Sequence, residues 1–167
     1  MLGTHPHYRL RYPETQEQQV NFTGESVETL LEQQGRSLWT RILRNEYDYA
    51  MYYHDRVLAE SLRTLQIELD QERAVSWLYL SDHGQEVGHS KDRAGHSGST
   101  LSGYEIPLIL WDSDERFDAE LEKRSFRGDW LTQMLVSILA IDWQERDSTR
   151  DVLADNYKWQ RPDIPKY

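Results

Sequence analysis

Residues 74–84 constrain the fold of this chain more than any other stretch. Residues 74–81 read Ala-Val-Ser-Trp-Leu-Tyr-Leu-Ser, which is rich in β-branched, aromatic and aliphatic types and contains no Gly or Pro. This pattern predicts a buried β-strand. The strand runs directly into Asp82, His83 and Gly84. Because ligands of open α/β sheets bind at the carboxyl ends of strands, this acid and imidazole are well placed for chemistry.

Two interpretations of this turn follow from the residues alone. Asp82 and His83 supply an oxygen and a nitrogen ligand, and together they resemble half of a zinc site. Alternatively, Asp82 and Gly84 serve only the geometry of the turn, and His83 is a surface residue. The triplet by itself leaves both interpretations open.

A long polar loop follows the turn. Residues 84–102 contain four glycines, four serines, one threonine and the two histidines His89 and His96. A second strand is predicted over residues 106–111, with Pro107 at its entrance. Long loops at strand ends often carry function, so this loop is a candidate site. His89 and His96 are read from composition as solvated loop residues.

The rest of the chain has a helical pattern in two places. Apolar residues recur at spacings of three and four over residues 37–70, which predicts one long amphipathic helix with an aromatic core stripe. Asp48 and Asp55 lie on one face of it, which is read as solvated. A second helix is predicted near residues 131–139, with Asp129 as its N-cap and an apolar stripe formed by Leu131, Leu135, Ile138 and Leu139. Residues 14–34 predict a surface excursion with one short helix.

Composition excludes several classes of function. The chain has 167 residues, enough for one domain, and a formal charge of -10, which argues against a general nucleic-acid surface. It has no cysteine, so it has no disulfide and no thiolate ligand. No apolar run reaches about 18 residues, and residues 1–13 lack the apolar core of a signal peptide, so we expect neither a spanning segment nor a signal peptide.

The order of these motifs resembles the phosphoethanolamine transferases of Gram-negative envelopes, a family of the alkaline phosphatase and sulfatase superfamily. The resemblance covers nearly the whole chain. It is carried by Gly3-Thr4-His5 with Tyr8, Arg11, Tyr12 and Pro13, by Asn45-Glu46-Tyr47-Asp48 with Asp55, by Ser81-Asp82-His83-Gly84, by Gly95-His96, and by Glu105-Ile106-Pro107.

The resemblance implies a fold and a location. We expect an alkaline phosphatase-like α/β fold, a mostly parallel sheet flanked by helices whose amino-terminal strands are missing from this chain. Residues 1–167 would be the carboxyl-terminal part of a single sulfatase/phosphoethanolamine transferase-like catalytic domain. In the full-length family, that domain faces the periplasm and is anchored in the inner membrane by preceding helices. A truncated sheet would leave strand edges exposed, so we expect poor solubility or dependence on a partner.

The resemblance also implies a chemistry. Asp82 and His83 would bind zinc together with a glutamate and a threonine expected before Met1, and that threonine would be the nucleophile. His5 and His96 would hold phosphoryl oxygens or a second metal. Glu86 would contact the ligands rather than the metal. The implied reaction moves phosphoethanolamine from phosphatidylethanolamine, through a phosphothreonine, to a lipid A or core sugar hydroxyl of lipopolysaccharide.

Two other functions stay open at this point. The chain could belong to another hydrolase or transferase of the superfamily, such as a sulfatase or a phosphoglycerol transferase. It could also be a non-catalytic module that only binds or scaffolds. No nucleophile is identified in this chain, so we do not expect activity from the chain alone.

Overall fold

The computed structural model describes residues 5–15, 27–69 and 73–164. Gly3 and Thr4 of the amino-terminal motif lie outside these residues. The chain divides into two compact units, one formed by residues 1–68, 83–105 and 165–167, and the other by residues 69–82 and 106–164.

The helices and strands of the described residues alternate along the chain. In order they are α1 (Val27–Gln33), α2 (Leu38–Glu68), β1 (Ser76–Leu80), β2 (Glu86–Val87), β3 (Ala94–Gly95), β4 (Leu108–Asp112) and α3 (Leu131–Ile138). Short 3-10 helices lie at Tyr8–Arg11, Leu101–Gly103, Ala119–Lys123, Gly128–Trp130 and Ser148–Arg150. The predicted α/β class is confirmed, as are the long helix, the short helix before it and both predicted strands, with bounds shifted by two residues or fewer for the long helix and the strands.

Helix α2 organises the first unit. It begins after Ser37, whose Oγ accepts a hydrogen bond from the Thr40 backbone N–H (3.3 Å), and therefore satisfies a donor of the first turn. Its aromatic stripe is core, as predicted, since Tyr47, Tyr49 and Tyr53 pack against buried side chains. Those buried side chains are Tyr8, Tyr12, Ala50 and Val87.

The second unit is built on the β1–β4 ladder. The two strands are antiparallel and pair Leu78 with Leu110 and Leu80 with Leu108. Helix α3 covers the face that these leucines share. Its buried Met134 and Ile138 pack with Val152 against Leu78, Leu108 and Leu110.

An ion pair between the buried Asp112 and the exposed Arg116 closes one end of this ladder. Arg116 donates to Asp112 (2.6 Å), and so does the Ser76 hydroxyl (2.7 Å). The hydrogen bonds from Arg116 first, and then from Ser76, hold the pKa of Asp112 well below its usual range. The carboxylate thus ties the end of β4 to the start of β1.

Two expectations from the sequence are corrected here. The expected mostly parallel arrangement is not seen in the described residues, where both ladders, β1–β4 and β2–β3, are antiparallel. A parallel pair needs a crossover, usually a helix, and the connection between β1 and β4 contains no α-helix. Asp129 does not cap α3, because its carboxylate binds Arg127 instead (2.6 Å) and a 3-10 turn precedes the helix.

No helix among the described residues combines the length and the apolar character needed to cross a bilayer.

Candidate functional site

The loop that follows β1 is closed by two glycines. The Gly84 N–H donates to the Gly103 carbonyl (2.9 Å). A Cβ at Gly84 would collide with the Ser102 carbonyl oxygen, and one at Gly103 would collide with the carbonyl oxygen of Ser97. Both positions therefore require glycine because backbone segments approach each other closely. This closure joins the beginning and the end of residues 84–103.

Glu86 holds the interior of the same loop together. Its side chain is 0% exposed. One carboxylate oxygen accepts from the Ser90 N–H (3.0 Å) and the Lys91 N–H (3.4 Å), and the other accepts from the hydroxyls of Ser90 (2.7 Å) and Ser102 (2.8 Å). Burial alone would raise the pKa of Glu86, but these hydrogen bonds outweigh it and lower the pKa to about 2. The carboxylate is therefore ionised and fully bonded inside the loop.

The loop is also fastened to the start of α2. Arg36 donates to the Gly88 carbonyl (3.0 Å), and Arg44 donates to the Val87 carbonyl (3.3 Å). The Asp92 carboxylate accepts from both the N–H and the hydroxyl of Ser37 (2.9 Å each). These bonds fix the outer part of the loop against the helix.

Asp48 contributes to this attachment indirectly. It forms an ion pair with Arg44 (2.8 Å), one helical turn away, and thereby holds the guanidinium that reaches Val87. Burial raises the pKa of Asp48, and Arg44 opposes that rise. Asp55 is exposed, in line with the solvated interpretation. The two acids of this helix face therefore differ in role.

The closed loop brings His83 and His96 together. Their ring centroids are 4.2 Å apart, with the ring planes at 57°. His83 Nδ1 lies 2.9 Å from the Gly84 carbonyl oxygen. Donation of Nδ1–H to that oxygen selects the tautomer in which Nε2 carries the electron pair, the form in which histidine ligates metals. His96 is exposed, and its carbonyl accepts from Arg93 (2.8 Å).

Two further predicted site residues are Asp82 and His5. Asp82 is exposed and lies two residues after the end of β1, directly before His83 in the sequence. His5 is exposed, and its carbonyl accepts from Arg11 (3.4 Å). Among the residues that the structure describes, no three His, Asp or Glu side chains form a group able to hold a metal ion. Metal binding by Asp82 and His83, and phosphate binding by His5 and His96, stay predictions.

Sequence reasoning missed the residues that shape the loop. Arg36, Arg44 and Asp92 were not singled out, because each acts through a backbone group or a side chain more than 40 residues away in the sequence. Ser102 was counted only as part of a polar loop. The glycines at positions 84 and 103 were the signal in the sequence that could have indicated the closure of the loop, because no α-helix or β-strand required glycine there.

Comparison with known proteins assigns the family. The family model described as Sulfatase matches residues 1–134. The chain therefore belongs to the sulfatase family.

Similar proteins narrow the class further. The chain is 29% identical to phosphoethanolamine transferase EptC of Escherichia coli strain K12 over 170 aligned residues, which cover 95% of this chain and 28% of that protein. The same values hold for the EptC of E. coli O18:K1:H7. The predicted resemblance to phosphoethanolamine transferases is confirmed. The chain spans a little over a quarter of the length of these curated relatives.

Solved structures of similar proteins match the fold of this chain. The carboxyl-terminal periplasmic domain of E. coli EptC in complex with zinc matches with a TM-score of 0.80 and 25% identity, covering 95% of this chain and 44% of that one. The corresponding domain from Campylobacter jejuni matches with a TM-score of 0.69 and 24% identity, covering 96% and 52%. The latter likeness concerns the fold alone.

Glu86 predicts a defined acid response of the loop. The folded-state pKa of about 2 lies below the ordinary value of 4.5. Its stabilisation is therefore fully present above pH 4.5 and is lost as the pH falls toward 2. At neutral pH it amounts to up to about 3 kcal/mol. Glu86→Gln should destabilise the first unit at pH 7 and remove this part of the acid dependence, as measured by urea unfolding between pH 7 and 2.

The matched control is Glu105→Gln, which changes an exposed carboxylate in the same unit. It should keep the wild-type dependence on acid. An identical pH profile for Glu86→Gln and the wild type would show that the buried carboxylate does not stabilise the loop.

Proposed function

We propose that this chain forms part of the catalytic domain of a metal-dependent phosphoethanolamine transferase. The donor would be phosphatidylethanolamine, and the acceptor a lipid A or core sugar hydroxyl of lipopolysaccharide. The observation that carries the proposal is the contact of His83 with His96 at a loop that Glu86 holds together, in a chain similar to EptC. No residue of this chain is proposed as the nucleophile.

Zinc is the metal that we propose. Imidazole nitrogen and carboxylate oxygen are ordinary zinc ligands, and His83 presents Nε2 in the ligating tautomer. One similar structure was solved as a zinc complex. His83 would be a ligand, and Asp82, which precedes it in the sequence, a second one. When bound, the ion would supply Lewis-acid polarisation of a phosphoryl oxygen and lower the pKa of a bound hydroxyl.

The protein side chains have separate tasks in this proposal. His96, in ring contact with His83, would meet the phosphoryl oxygens, and His5 would do the same from the amino-terminal motif. Glu86 would not touch substrate; it holds the loop on which both histidines are carried. The Gly84 carbonyl orients the His83 ring by accepting Nδ1–H.

The proposed location follows the similar proteins. The solved relatives are described as periplasmic domains of EptC. We therefore propose that this chain faces the periplasm as part of an inner-membrane protein. Another superfamily reaction, such as sulfate ester hydrolysis or phosphoglycerol transfer, fits the sulfatase model equally well, and the 29% identity with EptC favours phosphoethanolamine transfer.

A chimera tests the function. In an E. coli strain without EptC, this chain would replace the segment of EptC that it matches, and phosphoethanolamine on lipopolysaccharide would be measured by mass spectrometry. The chimera should restore the modification. His83→Ala should reduce the amount of modification by at least about 100-fold. Changing a residue that only hydrogen-bonds a metal ligand typically costs about 10- to 100-fold in metal affinity or activity, and loss of the ligand itself should cost more.

His89→Ala is the matched control, because His89 is an exposed histidine of the same loop. That variant should retain activity within about threefold. A folded chimera without modification, or full activity of His83→Ala, would contradict the proposal.

Zinc binding by the chain itself gives an independent test. Calorimetric titration should show weak uptake, because the described residues contain no group of three ligands. His83→Ala should weaken that uptake by at least about tenfold, while His89→Ala should leave it unchanged. Equal, negligible uptake by the wild type and His83→Ala would mean that this stretch alone holds no useful metal site.

A further inference from the structure

The segment that carries His5, residues 5–11, forms a closed amino-terminal turn. Arg11 donates to the carbonyl of His5 (3.4 Å) and to the carbonyl of the next residue (3.1 Å). His7 adopts a left-handed backbone conformation (φ 68°, ψ 47°), and its carbonyl accepts from the Leu10 N–H (3.0 Å). Residues other than glycine adopt this conformation uncommonly, and surrounding contacts hold it. The shape of the turn is therefore fixed by its own bonds.

Tyr8 anchors the amino-terminal turn in the core of the first unit. Its side chain is 2% exposed, and its ring meets that of Tyr47 of α2 edge to face, with centroids 5.3 Å apart. It belongs to the same buried cluster as Val87. Burial first, and then Tyr47, raises the pKa of Tyr8 to about 12. The hydroxyl therefore keeps its proton at neutral pH and needs an acceptor inside the protein.

Gln85 supplies that acceptor. The Tyr8 hydroxyl donates to the side-chain oxygen of Gln85 (3.3 Å), across 77 positions of the sequence. Gln85 is buried and lies two residues after His83. The bond therefore joins the turn that carries His5 to the loop that brings His83 and His96 together.

The hydrogen bond adds direction to an attachment that packing already provides. Tyr8 and Val87 share one apolar cluster, and apolar burial is not directional. A hydrogen bond weakens steeply away from its preferred distance and angle, so it favours one placement of the turn relative to the loop. Placement matters for reaction rate, since a shift of about 1 Å can cost about 100-fold.

We propose that Tyr8 and Gln85 are positioning residues of the transfer reaction. Their bond holds His5 in a fixed place relative to His96, so that the two histidines can hold the same phosphoryl group. Both Tyr8 and Gln85 are buried, so they act through the segments that they join and not by touching substrate. This role rests on the proposed function, whereas the joining of the two segments is measured without catalysis.

The first test follows the backbone amide shifts of the metal-free chain by NMR. Gln85→Met should shift amides of the amino-terminal turn, and Tyr8→Phe should shift amides of residues 83–85, although 77 positions separate the two partners. Tyr53→Phe removes the hydroxyl of another tyrosine that packs on the same cluster, and it should leave both segments unshifted. Unchanged amides in the opposite segment for both single variants would overturn the proposal.

The second test separates positioning from stability with a double variant. Tyr8→Phe or Gln85→Met alone leaves one buried partner unpaired and should lower the urea midpoint of the chain. Combining the two removes both polar groups and should restore that midpoint. In the purified EptC chimera, the double variant should nevertheless lower kcat by at least about tenfold, with KM within about threefold of the wild-type value. Tyr53→Phe should keep both parameters within about threefold.

Two kinetic results would overturn the proposal. A double variant with the stability and the kcat of the wild type would mean that the bond serves stability alone. A rise in KM without a fall in kcat would mean that it affects binding and not placement. If the double variant does not fold, the amide shifts of Tyr8→Phe decide. A wild-type chimera without transferase activity would contradict the proposed function instead, and the same shifts would then decide whether the bond joins the two segments.

Discussion

The proposed site depends on the hydrogen bonds that the buried carboxylate of Glu86 accepts. It accepts four hydrogen bonds from Ser90, Lys91 and Ser102, and so joins strand β2 to the end of a loop that has little regular structure of its own. A buried charge without these partners would be strongly destabilising, and with them it fixes one conformation. The contact between His83 and His96 follows from that conformation, because His83 directly precedes the closed segment of residues 84–103 and His96 lies within it.

Helix α2 supports this arrangement without contributing a candidate ligand. Arg36 and Arg44 donate hydrogen bonds to loop carbonyls, and the Asp92 carboxylate of the loop accepts a hydrogen bond from the Ser37 N–H. Val87 packs among the tyrosines of the unit. The helix thus holds the loop by both polar and apolar contacts. Such a site is positioned by its supports, and changes in residues remote from the two histidines should affect their geometry.

The sequence was informative where a single local pattern dominates. The apolar run before Asp82 and the periodicity after Ser37 predicted β1 and α2. His96, whose ring meets that of His83, was singled out only by the family resemblance and not by composition. The sequence was less informative where the structure depends on contacts between residues that are far apart in the chain. The direction of β4 relative to β1 depends on the path of the loop that connects them. The apolar stripe predicted near residues 131–139 missed the buried Met134 and Val136. It included Leu139, which lies just past the end of the helix and is 63% exposed. The resemblance singled out Glu86 as a contact of the metal ligands, which stays a prediction, while its four hydrogen bonds with Ser90, Lys91 and Ser102 depend on the closed loop and not on spacing.

The central claim is that the closed loop places the rings of His83 and His96 in contact in the protein itself, before any metal is added. The most direct measurement is the nuclear Overhauser effect between the ring protons of these two histidines in the metal-free chain. Clear cross-peaks between the two rings are expected, because their centroids are 4.2 Å apart. Absence of these cross-peaks in a folded sample, with both rings assigned, would contradict the central claim.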